Sequence, residues 1–182
     1  GVRSRDIENV LDELETLQNE HGIRHFMWLD DDLLKDERRA IALFNGMVRR
    51  ELKLTWDATN GVIAHSIREE LAAAAAASGC VALNIGMESG NPEILKQIKK
   101  PSSVASLLRA AEILQKYEQI HASVQLMVGF PGETLRQVLD TINLARDMNL
   151  DWHRISQLQP LPNTPIYRQM VAEGLISDHV GD

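Results

Sequence analysis

Apolar residues recur along this chain in two alternating rhythms. Between residues 6 and 18, Ile7, Val10, Leu11, Leu14 and Leu17 fall three and four apart, the spacing that gathers side chains on one face of a helix. Residues 24–29 read as a strand that halts at Asp30, Asp31 and Asp32. A second helix is predicted over 36–51, packing through Ile41, Leu43, Phe44, Met47 and Val48. A short strand over 54–56 leaves through DATNG at 57–61, a run with turn chemistry. Residues 64–77 form the next helix, with six consecutive alanines, and Gly79 closes it. Alanine is the best helix former, and a small-residue face lets a helix approach a sheet closely.

The pattern is sharpest at 81–95, VALNIGMESGNPEIL. Val81, Leu83 and Ile85 alternate with Ala82 and Asn84, which is strand spacing, and Gly86 and Gly90 free the backbone to turn. Glu88 and Ser89 are left at the end of a buried strand before a helix opens at Pro92. A longer helix over 103–117, a strand over 123–128 ending in GFPGET (129–134) and a helix over 135–148 follow. The chain finishes with a strand around 153–158, the proline-rich QPLPNTP (159–165) and a last helix from Ile166.

Strands start roughly 27 to 40 residues apart, the period of a strand-plus-helix unit, so five such units imply parallel strands with right-handed crossovers. The fold class is α/β, in one domain spanning residues 1–182. The polar residues collect on one rim, outside the carboxyl ends of the strands, where ligands bind in α/β proteins.

A net charge of -7 argues against a nucleic-acid partner, since a phosphate-binding face brings a basic excess. No apolar run reaches the roughly 18 residues of a membrane span and no signal peptide is visible, so a cytoplasmic location is expected. The single cysteine, Cys80, excludes an internal disulfide and every multi-cysteine metal site. The chain opens on Gly1 and enters helical sequence almost at once, which suggests a piece of something longer.

On chemistry alone each rim feature has two readings. Asp30, Asp31 and Asp32 suit a cationic ligand or the N-cap of the following helix. Glu88 and Ser89 suit a ligand or the turn before Asn91 and Pro92; GFPGET suits a ligand loop or a helix start. Lys99 and Lys100 read as a solvated pair, near enough to the rim to reach a carboxylate. Cys80 opens its strand, roughly 16 Å from the rim, and reads as a buried thiol. His21 and His25 are separated by Gly22, and His121 and His153 sit near strand starts, so no histidine cluster forms.

The strings FMWLDDD (26–32), LTWDATNG (54–61), SGCVALNIGMESGNPEIL (78–95), IKKP (98–101), MVGFPGET (127–134) and PLPNTPIY (160–167), taken in this order, resemble a radical S-adenosylmethionine (SAM) enzyme core. The likeness is greatest to the cobalamin-associated group that includes the anaerobic magnesium-protoporphyrin ester cyclases. It implies an open partial TIM-type barrel of six strands, with a CxxxCxxC loop after the first. Five strands and no such loop are present, and the helix at 6–18 matches the one after that loop. The missing strand and cluster ligands are therefore expected upstream of Gly1.

The resemblance also implies roles. Asp30 and Asp31 match the position holding the SAM amino group; Glu88 and Ser89 match the ribose position. Gly129, Phe130, Pro131 and Gly132 match the stretch beneath adenine, and Gln159, Pro160 and Leu161 match the exit that reads the adenine edge. Asn60 would face substrate or the sulfonium. The implied cofactors are SAM, a [4Fe-4S] cluster with ligands outside this chain, and cobalamin on a separate domain. The implied chemistry is reductive cleavage of SAM to a radical that abstracts hydrogen from a small-molecule substrate. No side-chain acid, base or nucleophile is nominated, and the fragment alone is expected to be inactive.

Without the first strand, the edge at 24–29 is expected to be covered by a second copy, in a dimer or a crystal contact, or by a rearranged N-terminal segment. Two other classes stand as alternatives: a divalent-metal TIM-barrel enzyme with Asp31, Asp57 and Glu88 as ligands, and a non-catalytic remnant binding a nucleoside or a partner protein.

Overall fold

The computed structural model describes residues 4–30 and 32–178. Five strands, β1 (His25–Met27), β2 (Thr55–Val62), β3 (Cys80–Glu88), β4 (His121–Val128) and β5 (Trp152–Gln157), form one parallel sheet in the order β1-β2-β3-β4-β5. Seven α-helices intervene or flank: α1 (Ile7–Asn19), α2 (Glu37–Arg49), α3 (Glu69–Ala77), α4 (Pro92–Gln97), α5 (Val104–Leu114), α6 (Leu135–Met148) and α7 (Pro165–Ala172). The α/β class and the parallel topology follow the strand-helix period of the sequence.

The core lies between one face of the sheet and the helices. Trp56, Ala58, Leu83, Ile85, Met87, Val124 and Leu126 project from β2, β3 and β4 into this layer, against Phe44, Leu71, Ala75, Leu107 and Leu144 of α2, α3, α5 and α6. Trp56 stacks on Phe44 at a centroid distance of 4.9 Å, and its indole N-H donates to Ser78 Oγ. Burying side chains of this size contributes about 1.5 to 3 kcal/mol each. Because strand residues alternate, every second residue faces away from the helices. That other face is polar: His25, Asp57, Thr59, Asn84, Ser123, Gln125 and Arg154 lie on it.

Several boundaries differ from the sequence pattern: the central strand does not turn at Gly86 but runs on to Glu88, and the helix expected over 103–117 ends at Leu114. The strand expected over 24–29 is only three residues long. DATNG is not the exit of the second strand but a bulge within it: Thr59 N-H and Oγ1 donate to Asp57 Oδ1, Gly61 takes φ +116°, and Val62 rejoins β3 opposite Ile85. A bulge and a turn use the same residues, so their local signals coincide. The helix expected over 64–77 is a 3-10 turn (Ala64–Ser66) followed by α3, because buried Ile67 adopts an extended backbone between them.

β1 and β5 are the edges of the sheet. Among the described residues no helix is long and apolar enough to cross a membrane.

Candidate functional site at the strand ends

At the carboxyl end of β3 the ladder to β4 slips: Gly86 pairs with Gln125, but Glu88 pairs with Leu126. Glu88 takes φ +64°, a left-handed conformation that a non-glycine residue adopts only where the surroundings hold it. Its Oε1 accepts from Lys100 Nζ at 3.0 Å. A Cβ built on Gly86 would lie 3.2 Å from Lys100 Nζ and 3.3 Å from Glu88 Oε1, so the ion pair folds back over the bare backbone of Gly86. Glu88 Oε2 is buried without a hydrogen-bond partner. A buried carboxylate oxygen left unpaired is costly, and it suits a hydroxyl donor brought by a ligand.

The next residues do a different task. Ser89 is 0% exposed; its hydroxyl pairs with Thr141 Oγ1 at 3.1 Å and accepts from Asn91 N-H. Gly90 N-H donates to the same Thr141 oxygen at 2.9 Å, and Asn91 caps α4 while donating to Asp140. The Ser89 side chain thus clamps the end of β3 to α6, leaving Glu88 as the group with an unpaired oxygen at this strand end.

At the end of β4, Glu133 organises the glycine loop: its Oε2 accepts from Gly129 N-H at 2.7 Å and Phe130 N-H at 3.2 Å, and its Oε1 is buried without a partner. Phe130 is only 6% exposed, so its ring anchors the loop in the fold. Pro131 is buried, and its carbonyl accepts from Gln97. Gly129 and Gly132 are exposed, with φ of +91° and +74°. Beyond β5, Gln159 and Leu161 are exposed and Pro160 half-buried. Gln159 and Pro160, with Gln157, Tyr167 and Ile176, line a shallow hollow of about 390 Å³.

The first strand's exit is looser. Asp30 is exposed, and its carbonyl accepts from Asn60 Nδ2 at 3.4 Å, bringing those two candidates together. Asp31 lies outside the described residues. The cap of α2 is Asp36, which accepts from Arg39 N-H, so the aspartates before it are not needed for that role.

Two of the carboxylates that a divalent cation would need are otherwise engaged. Asp57 pairs with His25 Nε2 at 3.0 Å and with Thr59, and Glu88 holds Lys100. Among the described residues no group of three His, Cys, Asp or Glu could hold a metal ion. Cys80 is buried at the far end of β3, eight residues or roughly 25 Å along the strand from Glu88. Burial pushes its thiol up to about 12. One such thiol cannot supply the several thiolates of an iron-sulfur cluster.

Lys100 makes the rim-carboxylate contact that its position in the sequence allows, whereas Glu133 is visible in the sequence only as the acid of GFPGET, its role coming from the loop folding back. Strand alternation could have found the polar face. On it Asn84 Nδ2 donates to Thr59 carbonyl and Gln125 Oε1, and Asn84 Oδ1 accepts from Ser123 Oγ. A second cleft, of about 210 Å³, lies at the opposite ends of β4 and β5, lined by Tyr117, Glu118, Asn149 and Asp151.

This arrangement, carboxylate and glycine loops at the carboxyl ends of parallel strands over an open polar face, belongs to a defined class. The model of the radical SAM superfamily matches residues 1–145, and the chain belongs to that superfamily. SAM and a [4Fe-4S] cluster are the cofactors that membership implies.

Over 174 residues the chain is 29% identical to an uncharacterized methyltransferase of Pyrococcus horikoshii, covering 96% of this chain and 37% of that protein. It is 28% identical over 170 residues to the anaerobic magnesium-protoporphyrin IX monomethyl ester cyclase of Cereibacter sphaeroides, covering 92% of this chain and 28% of that protein. In fold it is similar to the radical SAM methyltransferase TsrM from Kitasatospora setae, solved with cobalamin and a [4Fe-4S] cluster bound. The TM-score is 0.82 at 22% identity, over 93% of this chain and 34% of that one. The chain thus spans about a third of the length of these proteins.

Proposed function

We propose that this chain forms the nucleoside-binding side of a radical SAM enzyme acting on a small molecule. The observation that carries the reading is the buried, unpartnered Oε2 of Glu88, held at the end of the central strand beside Gly86. Glu88 accepts from ribose hydroxyls, which completes its hydrogen bonding, while Lys100 fixes the carboxylate. Adenine lies along Gly129 and Gly132, whose missing side chains leave room for a flat ring, and Phe130 and Pro131 hold that loop from behind. Backbone at Gln159, Pro160 and Leu161 reads the ring edge. Asp30, with Asp31, takes the amino group through charge-assisted hydrogen bonds, with Asn60 beside it. Ser89 acts through position, tying Glu88 to α6.

When bound, SAM and an iron-sulfur cluster supply one-electron radical chemistry, and the protein supplies orientation and exclusion of water. Cys80 does not fit a cluster-ligand role, so this chain's share is binding. Kinship with a cobalamin-bound structure and with methyltransferase and cyclase relatives supports cobalamin as a further cofactor, held outside this sheet. The same reading carries a cytoplasmic setting and pairing of a second copy along the β1 edge.

Amide chemical shifts of the isotope-labelled chain, followed during titration with methylthioadenosine, test the reading. Shifts should concentrate at residues 86–90, 129–133 and 157–161. Shifts confined to the cleft at Tyr117 and Asp151 would remove it.

A further inference from the structure

Among the described residues, Arg154 is a cation on the open polar face that the nucleoside reading leaves unused. His153 of β5 faces the helices, its Nε2-H donating to the Ala145 carbonyl at 2.7 Å. Its neighbours Trp152 and Arg154 therefore point the other way, onto the open face. The register agrees, since Trp152 pairs with Ser123 and Arg154 with Gln125, both on that face. Arg154 is exposed, and among the described residues its guanidinium has no hydrogen-bond or ion-pair partner.

Beside it, Gln125 is oriented rather than free. Its Oε1 accepts from Asn84 Nδ2, and Asn84 is itself held by Thr59 and Ser123. With its oxygen committed, the Gln125 amide has its N-H donors left for a ligand. Neighbouring strands lie about 4.8 Å apart, so guanidinium and amide form adjacent donors on one rung of the sheet. Trp152, 62% exposed and two residues before Arg154, offers an aromatic surface about 7 Å along the same strand face. Gly86, under the Glu88–Lys100 pair, occupies the same rung on the other side of Gln125, about 10 Å from Arg154. That distance allows two ligands to lie side by side on one sheet face.

We propose that Arg154 and Gln125 bind the carboxylate of a planar aromatic substrate whose ring packs on Trp152. The inference rests on the nucleoside reading, because it places this substrate beside the SAM nucleoside. A planar guanidinium recognises a carboxylate through two parallel hydrogen bonds, which a lysine cannot reproduce. The Gln125 amide adds a third donor, and the ring gains offset stacking on the indole.

The test uses 2-naphthoate and its neutral analogue 2-naphthamide as probes on the whole chain, with methylthioadenosine and SAM in parallel titrations. Wild type should bind 2-naphthoate at least tenfold more tightly than 2-naphthamide. Arg154→Gln should abolish that preference, Arg154→Lys should keep only part of it, and Trp152→Ala should weaken both probes alike. None of these exposed substitutions should change the circular dichroism or the methylthioadenosine affinity. Equal affinity of the two probes, absence of saturable 2-naphthoate binding, or a preference that survives Arg154→Gln would overturn the proposal. If Arg154→Gln weakens SAM but not methylthioadenosine, the residue holds the methionine carboxylate and the substrate assignment fails. Loss of methylthioadenosine binding in wild type would instead strike the nucleoside reading, while the naphthoate preference would still report on Arg154.

Discussion

Lys100 reaches back 12 residues to hold Glu88 Oε1 at 3.0 Å, while the other oxygen of that carboxylate is buried and unpaired. The pair is half-buried, sits on a left-handed residue and lies over a glycine, so three independent features position one carboxylate. Removing one partner of such a pair leaves a charge in a poorly solvated place, whereas removing both does not.

Lys100→Met should therefore destabilise the fold by about 1 to 2 kcal/mol. The double substitution Glu88→Gln with Lys100→Met should restore part of the loss. Urea unfolding of the four proteins in a double-mutant cycle gives the coupling directly. Additive losses would mean that the pair is not formed in solution.

Ser89→Ala should lower stability by about 0.5 to 1.5 kcal/mol, the net value of an intramolecular hydrogen bond, and leave methylthioadenosine affinity unchanged. Thr141→Val should be worse, by about 1 to 3 kcal/mol, because it strands the buried Gly90 N-H as well. A fall in nucleoside affinity for Ser89→Ala at constant stability would return that hydroxyl to the ligand site.

Gly90→Ala tests the same junction by crowding. The added Cβ would lie 2.8 Å from Thr141 Cα and 2.9 Å from Asp140 carbonyl oxygen, backbone positions that cannot move without shifting α6. A loss of about 1 to 3 kcal/mol is expected from thermal or urea unfolding. A neutral result would mean that β3 and α6 are not in this close contact.

Much of this architecture is legible in the sequence, because buried parallel strands and amphipathic helices write different periods. Val81, Leu83 and Ile85 mark the central strand, and Asp6, Asp36, Ser103 and Thr134 each cap the helix that follows them. What is not legible depends on chain folding back across distance. DATNG reads as a turn, since nothing local says that Val62 will rejoin the sheet. Ser89 carries the same ligand-like chemistry as Glu88, and only its contact with Thr141, 52 residues on, separates their tasks. Glu133 looks like a helix-start acid until its carboxylate is seen to gather the Gly129 and Phe130 amides. Arg154 could have been assigned to the open face by alternation, but the exposure of the whole β5 strand hides which side is which.

Burial of Cys80 predicts both reactivity and pH dependence. Its thiol is pushed up to about 12 from an ordinary value near 9, chiefly by desolvation of the thiolate. The folded state therefore keeps its proton where the unfolded state loses it. Stability from this group is complete below about pH 9 and declines as pH rises toward 12. A disulfide reagent at pH 8 should label the native chain only as fast as it opens, and the unfolded chain at once. Rapid labelling of the native chain would show that the start of β3 is accessible.

The claim that Glu88 is the ribose acceptor is tested most directly by isothermal titration of methylthioadenosine into wild type and Glu88→Gln, with unfolding curves to confirm that the variant is folded. Saturable binding by wild type is expected, weakened in Glu88→Gln by about 1.5 to 3 kcal/mol, roughly tenfold to more than a hundredfold. Equal affinity in the two proteins would contradict the account.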